Sequence, residues 1–292
     1  MLPHMTSSQP LISIITPSLN QAAFVEAAIE SVLTQDYPSI EYIVVDGGST
    51  DGTLEILKRY GGRVRWISEQ DAGQSDAIDK GVRLTRGQVL GWLNADDIYL
   101  PGAVSRVVAA FAEDSARSLV YGDAQDIDIH GHVVGPSRQI EPWSMRRLLE
   151  FGDFIVQPAA FFLRSAYAAV GGLDQSLHYC MDYDLWIKLG QRYAVHYLDE
   201  PLAQTRIYDT TKTSSGGLKR LIEIEAMVRR YGRPRLPACY YPEILRACGS
   251  ALARGLRDGL SRREAQALLR RGAMYGMVYA ARRIRYGHTW QN

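Results

Sequence analysis

The chain has 292 residues, of which 46% are hydrophobic and 22% are charged, and its formal net charge is +1. These values are ordinary for a soluble globular protein, and no apolar run is long enough to span a membrane. The first residues lack a signal-peptide pattern, so we expect a cytoplasmic protein with residues 1–9 disordered. Three cysteines without metal-ligand spacing favour reduced thiols.

The first 120 residues alternate between predicted strands and helices. Runs rich in valine and isoleucine predict strands at residues 11–16, 41–46, 64–67 and 89–93. Apolar residues at helical spacing predict helices at residues 22–35, 53–60, 74–84 and 101–111. This alternation is typical of a parallel α/β sheet covered by helices on both faces. Because such sheets bind ligands beyond the carboxyl ends of their strands, the strand-end residues are the candidates for function.

The pattern loosens after residue 122. We predict a hairpin at residues 124–141, a short amphipathic helix at 143–151 and mostly helical structure from residue 218 onward. Residues 217–292 carry 16 Lys/Arg against 5 Asp/Glu, a net charge of +11, whereas residues 1–216 carry 17 against 27, a net charge of −10. An anionic partner for the basic segment is indicated, a membrane surface or a phosphate-bearing acceptor rather than nucleic acid. A solvated helical face packed on the acidic domain is the alternative.

The fourth predicted strand runs into Asn94-Ala95-Asp96-Asp97. Adjacent carboxylates are costly to crowd together unless a cation lies between them. Mg²⁺ sites use one or two carboxylates and take further ligands from substrate phosphates. The same position would also suit a helix cap, because a helix is predicted just beyond it. Position alone leaves both interpretations open.

The other predicted strands also end in polar segments. Residues 46–53 contain the pair Gly47-Gly48, which would let a ligand approach the backbone next to a helix N-terminus that favours anions. Asp46 is placed to accept hydrogen bonds from a ribose or a base N–H group. Residues 71–76 are again polar and contain glycine. Residues 16–20 lack the G-x-G-x-x-G fingerprint, so a dinucleotide cofactor bound in the usual way is disfavoured.

Taken in order, these segments resemble the motifs of family 2 glycosyltransferases of the GT-A fold. The resemblance rests on residues 46–53 (DGGSTDGT), 71–77 (DAGQSDA), 92–97 (WLNADD), 171–174 (GGLD) and 181–186 (MDYDLW). It implies an α/β, Rossmann-like sandwich with a mostly parallel central sheet. We expect this domain at residues 10–216, with a nucleotide-binding half at about 10–122 and an acceptor half at about 123–216. The basic helical C-terminal extension, residues 217–292, would follow it.

The resemblance implies a nucleotide-diphosphate sugar donor, a UDP-sugar being favoured, and a Mg²⁺ or Mn²⁺ ion. Asn94-Ala95-Asp96 stands where the family has its metal-binding D-x-D motif, with Asn94 in place of the first Asp. Asp96 is therefore the expected metal ligand, and Asp97 is a further candidate. Contacts with the nucleotide sugar are expected at Thr16, Pro17, Asn20, Asp46, Gly48, Gln74, Asp76, Asn94 and Ala95.

The family's Glu-Asp pair, whose Asp acts as the general base, appears here as Met181-Asp182. This identifies Asp182 as the expected catalytic base, with Asp184 as the alternate, and implies inversion at the anomeric carbon. Members of the family often carry a His near residue 208, where this chain has Tyr208. Asp209 at the metal and Lys212 at the diphosphate are candidate substitutes, whereas a mobile surface loop is the alternative for this segment.

Three residues are candidates for the acceptor side: Gln157, Trp143 and His178. The expected acceptor is a saccharide or a lipid-linked sugar, as in the assembly of bacterial surface polysaccharide or glycoconjugates. Residues 268–285 alternate apolar residues with arginine clusters, which is compatible with a helix lying peripherally on the inner face of an anionic membrane or with a homodimer contact.

Two other classes of protein share some of these features. A sugar nucleotidyltransferase needs a glycine-rich, basic loop after the first strand to hold a triphosphate, and residues 16–20 have neither feature. A non-catalytic nucleotide-sugar-binding or membrane scaffold protein would not need both Asp96 and Asp182. The sequence therefore favours a metal-dependent, inverting transferase.

Overall fold

The chain folds into two compact units. The computed structural model describes residues 9–137, 140–258 and 261–286. The first unit takes the chain up to Met145 together with Phe154–Tyr208, and the second takes Arg146–Asp153 and the chain from Asp209 onward. The predicted disorder of residues 1–9 falls, except for Gln9, outside the described residues.

The N-terminal part of the first unit alternates strands with helices. Strands β1 (Ile12–Ser18), β2 (Ile40–Asp46), β3 (Arg65–Ser68) and β4 (Val89–Trp92) alternate with helices α1 (Val25–Leu33), α2 (Thr53–Arg59) and α3 (Gln74–Leu84). The four strands pair in parallel in the order β3-β2-β1-β4. β1 and β4 are buried along their whole lengths, as expected for strands covered on both faces. The strand order reverses between β1 and β4, and such crevices are where these sheets bind ligands.

The rest of the first unit extends the sheet with mixed pairing. Its elements, together with the short helix α5, are β5 (Ile98–Tyr99), α4 (Ala103–Glu113), β6 (Arg117–Ile127), β7 (Val133–Pro136), α5 (Met145–Glu150), β8 (Ala160–Leu163), α6 (Arg164–Ala169), α7 (Met181–Gly190) and β9 (Ala194–Arg206). β8 lies antiparallel between β4 and β6. The long β9 pairs in parallel with β6 and antiparallel with β5. Because β9 pairs with β5, it ends beside the segment that follows β4.

The predicted α/β class with a largely parallel sheet is confirmed, and one local prediction is corrected. The helix predicted at residues 101–111 begins at Ala103, since Gly102 in the left-handed region (φ 75°) turns the chain just before it. The pattern did not predict β5, which at two residues is too short to show a period. This strand separates Asp96 and Asp97 from α4, so the helix-cap interpretation of the pair is wrong.

Helices make up most of the described part of the second unit: α8 (Lys212–Arg230), α9 (Tyr241–Asp258) and α10 (Arg262–Tyr286). Glu225 on α8 is 1% exposed and pairs with Arg229 at 2.9 Å and with Arg271 of α10. Arg220 of α8 pairs with Glu243 of α9 at 2.6 Å. Part of the arginine excess therefore joins these helices to one another. Within the described ranges, no helix is both long and apolar enough to cross a bilayer.

Candidate active site

A network of hydrogen bonds centred on Asn94 holds the segment that follows β4. Asn94 Oδ1 accepts hydrogen bonds from Gln74 Nε2 at 2.7 Å and from Trp92 Nε1 at 2.9 Å. Asn94 Nδ2 donates to Asp97 Oδ2 at 3.0 Å and to Gln157 Oε1 at 2.8 Å. Both lone pairs of the carbonyl oxygen and both amide hydrogens are thus engaged. Asn94 therefore orients its neighbours, and a cation would take its protein ligand elsewhere in this segment.

The carboxylates of Asp96 and Asp97 differ in their burial and in the hydrogen bonds that their oxygens already accept. Asp97 is 3% exposed, and its oxygens accept hydrogen bonds from Asn94 and from the backbone N–H of Arg206 at 3.1 Å. Asp96 is half-buried, and its Oδ2 accepts a hydrogen bond from the Tyr208 hydroxyl at 2.8 Å. No other side chain of the described residues is hydrogen-bonded to the Asp96 carboxylate. Asp96 is therefore the better candidate ligand, and Asp97 supports it.

The electrostatics of this pair suit a cation. Burial raises the pKa of Asp96, although the hydrogen bond from Tyr208 opposes the rise. Burial and then the charge of Asp96 hold the pKa of Asp97 well above its usual range. A bound cation would relieve this crowding. Because the described ranges contain no group of three or more His, Cys, Asp or Glu side chains suited to a metal, such a cation would need further ligands from a bound diphosphate.

Arg206 and Tyr208, at the end of β9, complete this part of the site. Arg206 Nε donates to the backbone carbonyl of Asp96 at 3.1 Å, and Nη1 donates to that of Asp128 at 2.7 Å. The Arg206 guanidinium lies 4.8 Å from the ring centroid of Phe24, and the Tyr208 ring lies 5.3 Å from the same ring. No local pattern assigns a role to Arg206, because only the β9–β5 pairing brings it to a segment 110 residues away.

Hydrogen bonds join the loop after β1 to the loop after β2. Asn20 has a positive φ of 53°, its backbone N–H donates to Ser49 Oγ at 2.7 Å, and its Oδ1 accepts from the Thr50 N–H at 2.8 Å. Thr16 is buried and accepts a hydrogen bond from the Tyr42 hydroxyl at 3.1 Å. Thr16 and Asn20, both predicted near the nucleotide, thus shape the edge on which a ligand would rest. Pro17, between them, is buried within β1.

Asp46 anchors the loop that follows β2. Its side chain is 0% exposed and accepts hydrogen bonds from the backbone N–H groups of Gly48 and Ser49, at 3.0 and 2.9 Å. It also accepts from the hydroxyls of Ser49 and Ser68. Asp76, another predicted contact, accepts from the Ala72 N–H at 3.1 Å and pairs with Lys80 at 3.2 Å. Both carboxylates therefore serve the shape of the loops in this structure.

The two candidate bases on the first turn of α7 have different surroundings. Asp182 is half-buried, and its Oδ1 accepts a hydrogen bond from the neighbouring Tyr183 N–H at 2.8 Å. Asp184 is 2% exposed and forms an ion pair with Lys188 at 3.0 Å. Lys188 also donates to the carbonyl of Gly172 at 2.7 Å. These contacts favour a structural role for Asp184 and leave Asp182 as the more accessible base.

The remaining predicted residues fall in different places. Gln157 is 6% exposed and hydrogen-bonds to Asn94 and to the Trp92 carbonyl, so it belongs to the metal-site network. Trp143 covers Gly190, where an added Cβ would lie 2.1 Å from the indole ring, which favours a packing role. His178 is exposed, and its ring lies edge-on to Tyr179. Asp209 and Lys212 belong to the second unit, where Lys212 begins α8.

Several known proteins are similar to this chain in sequence. The family model described as glycosyl transferase family 2 matches residues 13–170. An uncharacterized glycosyltransferase of Rickettsia typhi is 31% identical over 229 residues, which cover 75% of this chain and 70% of that protein. The chondroitin synthase of Escherichia coli is 31% identical over 185 residues, which cover 62% of this chain and 27% of the synthase.

Two solved structures share the fold. S. aureus TarS 1–349 in complex with UDP-GlcNAc matches with a TM-score of 0.61 at 15% identity, covering 96% of this chain and 74% of that one. The mannosyltransferase PcManGT from Pyrobaculum calidifontis, in complex with GDP-Man and Mn²⁺, matches with a TM-score of 0.60 at 17% identity, covering 95% and 85%. At such low identities the likeness concerns the fold alone.

Proposed function

The chain belongs to glycosyl transferase family 2, and from this membership we propose that it transfers a sugar from a nucleoside-diphosphate sugar to an acceptor hydroxyl, inverting the anomeric carbon. The observation that carries the proposal is the segment after β4, where the half-buried Asp96 carboxylate lies beside the buried Asp97 at the ligand-binding edge of the sheet. The base candidate Asp182 lies on α7 of the same unit. Binding proteins have no need of such a base.

The donor would lie across the carboxyl ends of β1, β2 and β4. TarS was crystallised with UDP-GlcNAc and PcManGT with GDP-Man and Mn²⁺, which supports a nucleotide sugar and a divalent cation here. Asp96 is the side chain that would hold Mg²⁺ or Mn²⁺, and such a cation, when bound, stabilises the charge that the leaving diphosphate gains. Asn94, Gln157 and Arg206 keep Asp96 and Asp97 in place. The roles expected for Lys212 and Asp209, which lie in the second unit, stay predictions from the sequence.

On the acceptor side, Asp182 would take the proton of the attacking hydroxyl. A positioned carboxylate acting as general base contributes typically 10²- to 10⁴-fold to rate. Attack from the side opposite the leaving diphosphate gives inversion. Asp182 is half-buried, whereas Asp184 is 2% exposed and forms an ion pair with Lys188, so Asp182 is the better placed of the two to meet an acceptor.

We propose a saccharide or lipid-linked acceptor used in bacterial surface polysaccharide. Relatives support this, since the chondroitin synthase of Escherichia coli and the hyaluronan synthase of Pasteurella multocida make polysaccharides, although this chain spans only 27% and 19% of them. We place the enzyme in the cytoplasm, with α10 as a peripheral contact to the inner face of the membrane. Leu269 and Met277 of α10 are 56% and 68% exposed, and the neighbouring Arg270 is also exposed.

The membrane contact is tested by co-sedimentation with vesicles. Full-length protein should pellet with vesicles containing anionic lipid and remain in the supernatant with zwitterionic vesicles, because the arginine-rich surface is attracted to negative charge. The variant L269S/M277S/R270E should lose this binding. If wild type and variant pellet equally little while the wild type sediments as a dimer and the variant as a monomer, α10 is a homodimer contact instead.

A thermal-shift screen of nucleotide sugars tests the function. With Mn²⁺ present, one nucleotide-sugar class at about 100 times its Kd should stabilise the fold by about 2.7 kcal/mol and raise Tm by several degrees. The stabilising donor should also release nucleoside diphosphate slowly through hydrolysis. Binding without any release would favour a nucleotide-sugar-binding scaffold, and no shift with any donor would contradict the proposal.

A further inference from the structure

Gly47, directly after β2, leaves a space that the carboxylate of Asp71 fills. A Cβ built on Gly47 would lie 2.8 Å from Asp71 Oδ2 and 3.2 Å from Asp71 Cγ. Gly47 is not among the glycines with positive φ, so its backbone would accept a side chain. The neighbouring carboxylate is therefore what excludes a larger residue. The loop between β3 and α3 thus delivers an acid to the carboxyl end of β2, at the ligand-binding edge.

The other carboxylates of these loops are already engaged. Asp46 is fully buried and accepts four hydrogen bonds from within the protein. Asp51 accepts from the Ala22 N–H at 2.9 Å and from the Thr53 hydroxyl at 2.6 Å. Glu69 and Asp76 pair with Lys80 at 3.0 and 3.2 Å. None of these four is placed to meet a ligand without breaking a contact first.

Asp71 keeps one oxygen open. It is half-buried, and its Oδ1 accepts a hydrogen bond from the Gly73 N–H at 2.8 Å, which fixes the orientation of the carboxylate. Its Oδ2, the atom nearest to Gly47, has no hydrogen-bond partner within the described ranges. Because Gly47 lacks a side chain, a flat ligand can approach this oxygen across the backbone.

We propose that Asp71 selects the base of the sugar donor and that this base is a pyrimidine with a ring N–H, uracil or thymine. The inference rests on the proposed function and adds the residue that would read the nucleotide. Uracil and thymine each offer one ring N–H, at N3, from which a single carboxylate oxygen can accept a hydrogen bond. Cytosine and adenine present an unprotonated ring nitrogen at the matching edge, which the carboxylate would repel. Guanine presents two adjacent donors, and Asp71 Oδ1 is already committed to Gly73.

The variant Asp71→Asn tests this assignment because it can present a hydrogen-bond donor to the base where wild type presents the acceptor Oδ2. The amide oxygen can still accept from the Gly73 N–H, while the amide nitrogen becomes a donor in place of Oδ2. Loss of a hydrogen bond to a charged group should weaken UDP binding roughly 10- to 100-fold. CDP, whose N3 accepts a hydrogen bond, should gain relative to UDP. Isothermal titration of full-length protein with UDP, dTDP, CDP, GDP and ADP in Mn²⁺ measures this order and separates uracil from thymine.

A double variant supplies a rescue, and a third variant supplies a matched control. Gly47→Asp alone should lose UDP binding, because its Cβ would meet the Asp71 carboxylate. In G47D/D71S, the serine can still accept from Gly73 and the acid now comes from β2, so the preference for UDP should return. Glu69→Gln removes a charge from the same loop without touching Gly47, and UDP affinity should stay unchanged.

The outcomes separate this inference from the function on which it rests. The base assignment is overturned if D71N binds UDP and dTDP as tightly as wild type, or if wild type prefers CDP, GDP or ADP. In either case nucleotide binding would still support a sugar transferase. Failure of the wild type to bind any of the five diphosphates would overturn both. Circular dichroism melting of each variant shows whether a lost affinity reflects a lost fold.

Discussion

Asp182→Asn is expected to lower turnover by roughly 10²- to 10⁴-fold while the affinity for the donor stays within a few-fold of wild type. The amide keeps the size of the side chain and its hydrogen bond from the Tyr183 N–H, but it cannot take a proton. Since the acceptor is not known, turnover is measured as nucleoside diphosphate released when water attacks the donor that stabilises the protein. Titration calorimetry gives the donor affinity separately.

Asp184→Asn is the matched control on the same turn of α7. Asp184 is 2% exposed and paired with Lys188, so its loss should act mainly on stability, by about 1–3 kcal/mol. We expect a lower Tm and, for the folded fraction, turnover near that of wild type. Near-normal turnover in D182N would exclude Asp182 as the base. If D184N then lost turnover at unchanged Tm, Asp184 would take the role.

Asp96→Asn should abolish the contribution of the divalent cation to donor binding. Asp96 is the carboxylate of this segment with coordination capacity left, because Asp97 and Asn94 are occupied by their neighbours. The asparagine oxygen can still accept from the Tyr208 hydroxyl, so the fold should persist. Titration of UDP with and without Mn²⁺ should give the same affinity in D96N and different affinities in wild type. Turnover should fall at least 10²-fold.

Tyr208→Phe should strengthen the binding of the cation by Asp96, whereas Asp96→Asn should abolish it. Tyr208→Phe removes a hydroxyl that hydrogen-bonds to Asp96 Oδ2 at 2.8 Å, so a cation no longer competes with that bond. A hydrogen bond to a charged group contributes about 1.5–3 kcal/mol, so its removal should raise the cation affinity by roughly 10- to 100-fold. Electron paramagnetic resonance of Mn²⁺ in the presence of UDP measures this without turnover. If D96N retained the Mn²⁺ enhancement, Asp96 would not be the ligand.

The sequence was sufficient for what depends on local pattern. The strands of the first 120 residues are apolar runs that end in polar loops, so their carboxyl ends, with Asp46 and Asp96, could be placed at one edge. The family resemblance pointed to the segment around Tyr208, whereas the contact of Arg206 with the segment after β4 could not be predicted. Arg206 and Tyr208 reach Asp96 only because β9 pairs with the two-residue β5.

The burial of single side chains could not be predicted from the sequence either. The sequence alone predicted Asp46 as a contact of the nucleotide, because it stands at the end of a strand, where sheets of this kind bind ligands. In the structure four hydrogen bonds draw Asp46 inward, and Asp71 from the next loop comes to lie beside Gly47. Side-chain burial of this kind depends on the path of two loops, and no spacing rule along one of them reveals it.

The neutral Asn94 has a consequence for how substrates reach the enzyme. Its amide fills the centre of the network, so the segment after β4 offers one open carboxylate rather than a cage of acids. A hydrated divalent ion gains little from a single such ligand, but it gains much more when it arrives already bound to a diphosphate. If the proposed function holds, the kinetic substrate would be the ion–nucleotide-sugar complex, and rates would follow the concentration of that complex rather than that of the free ion.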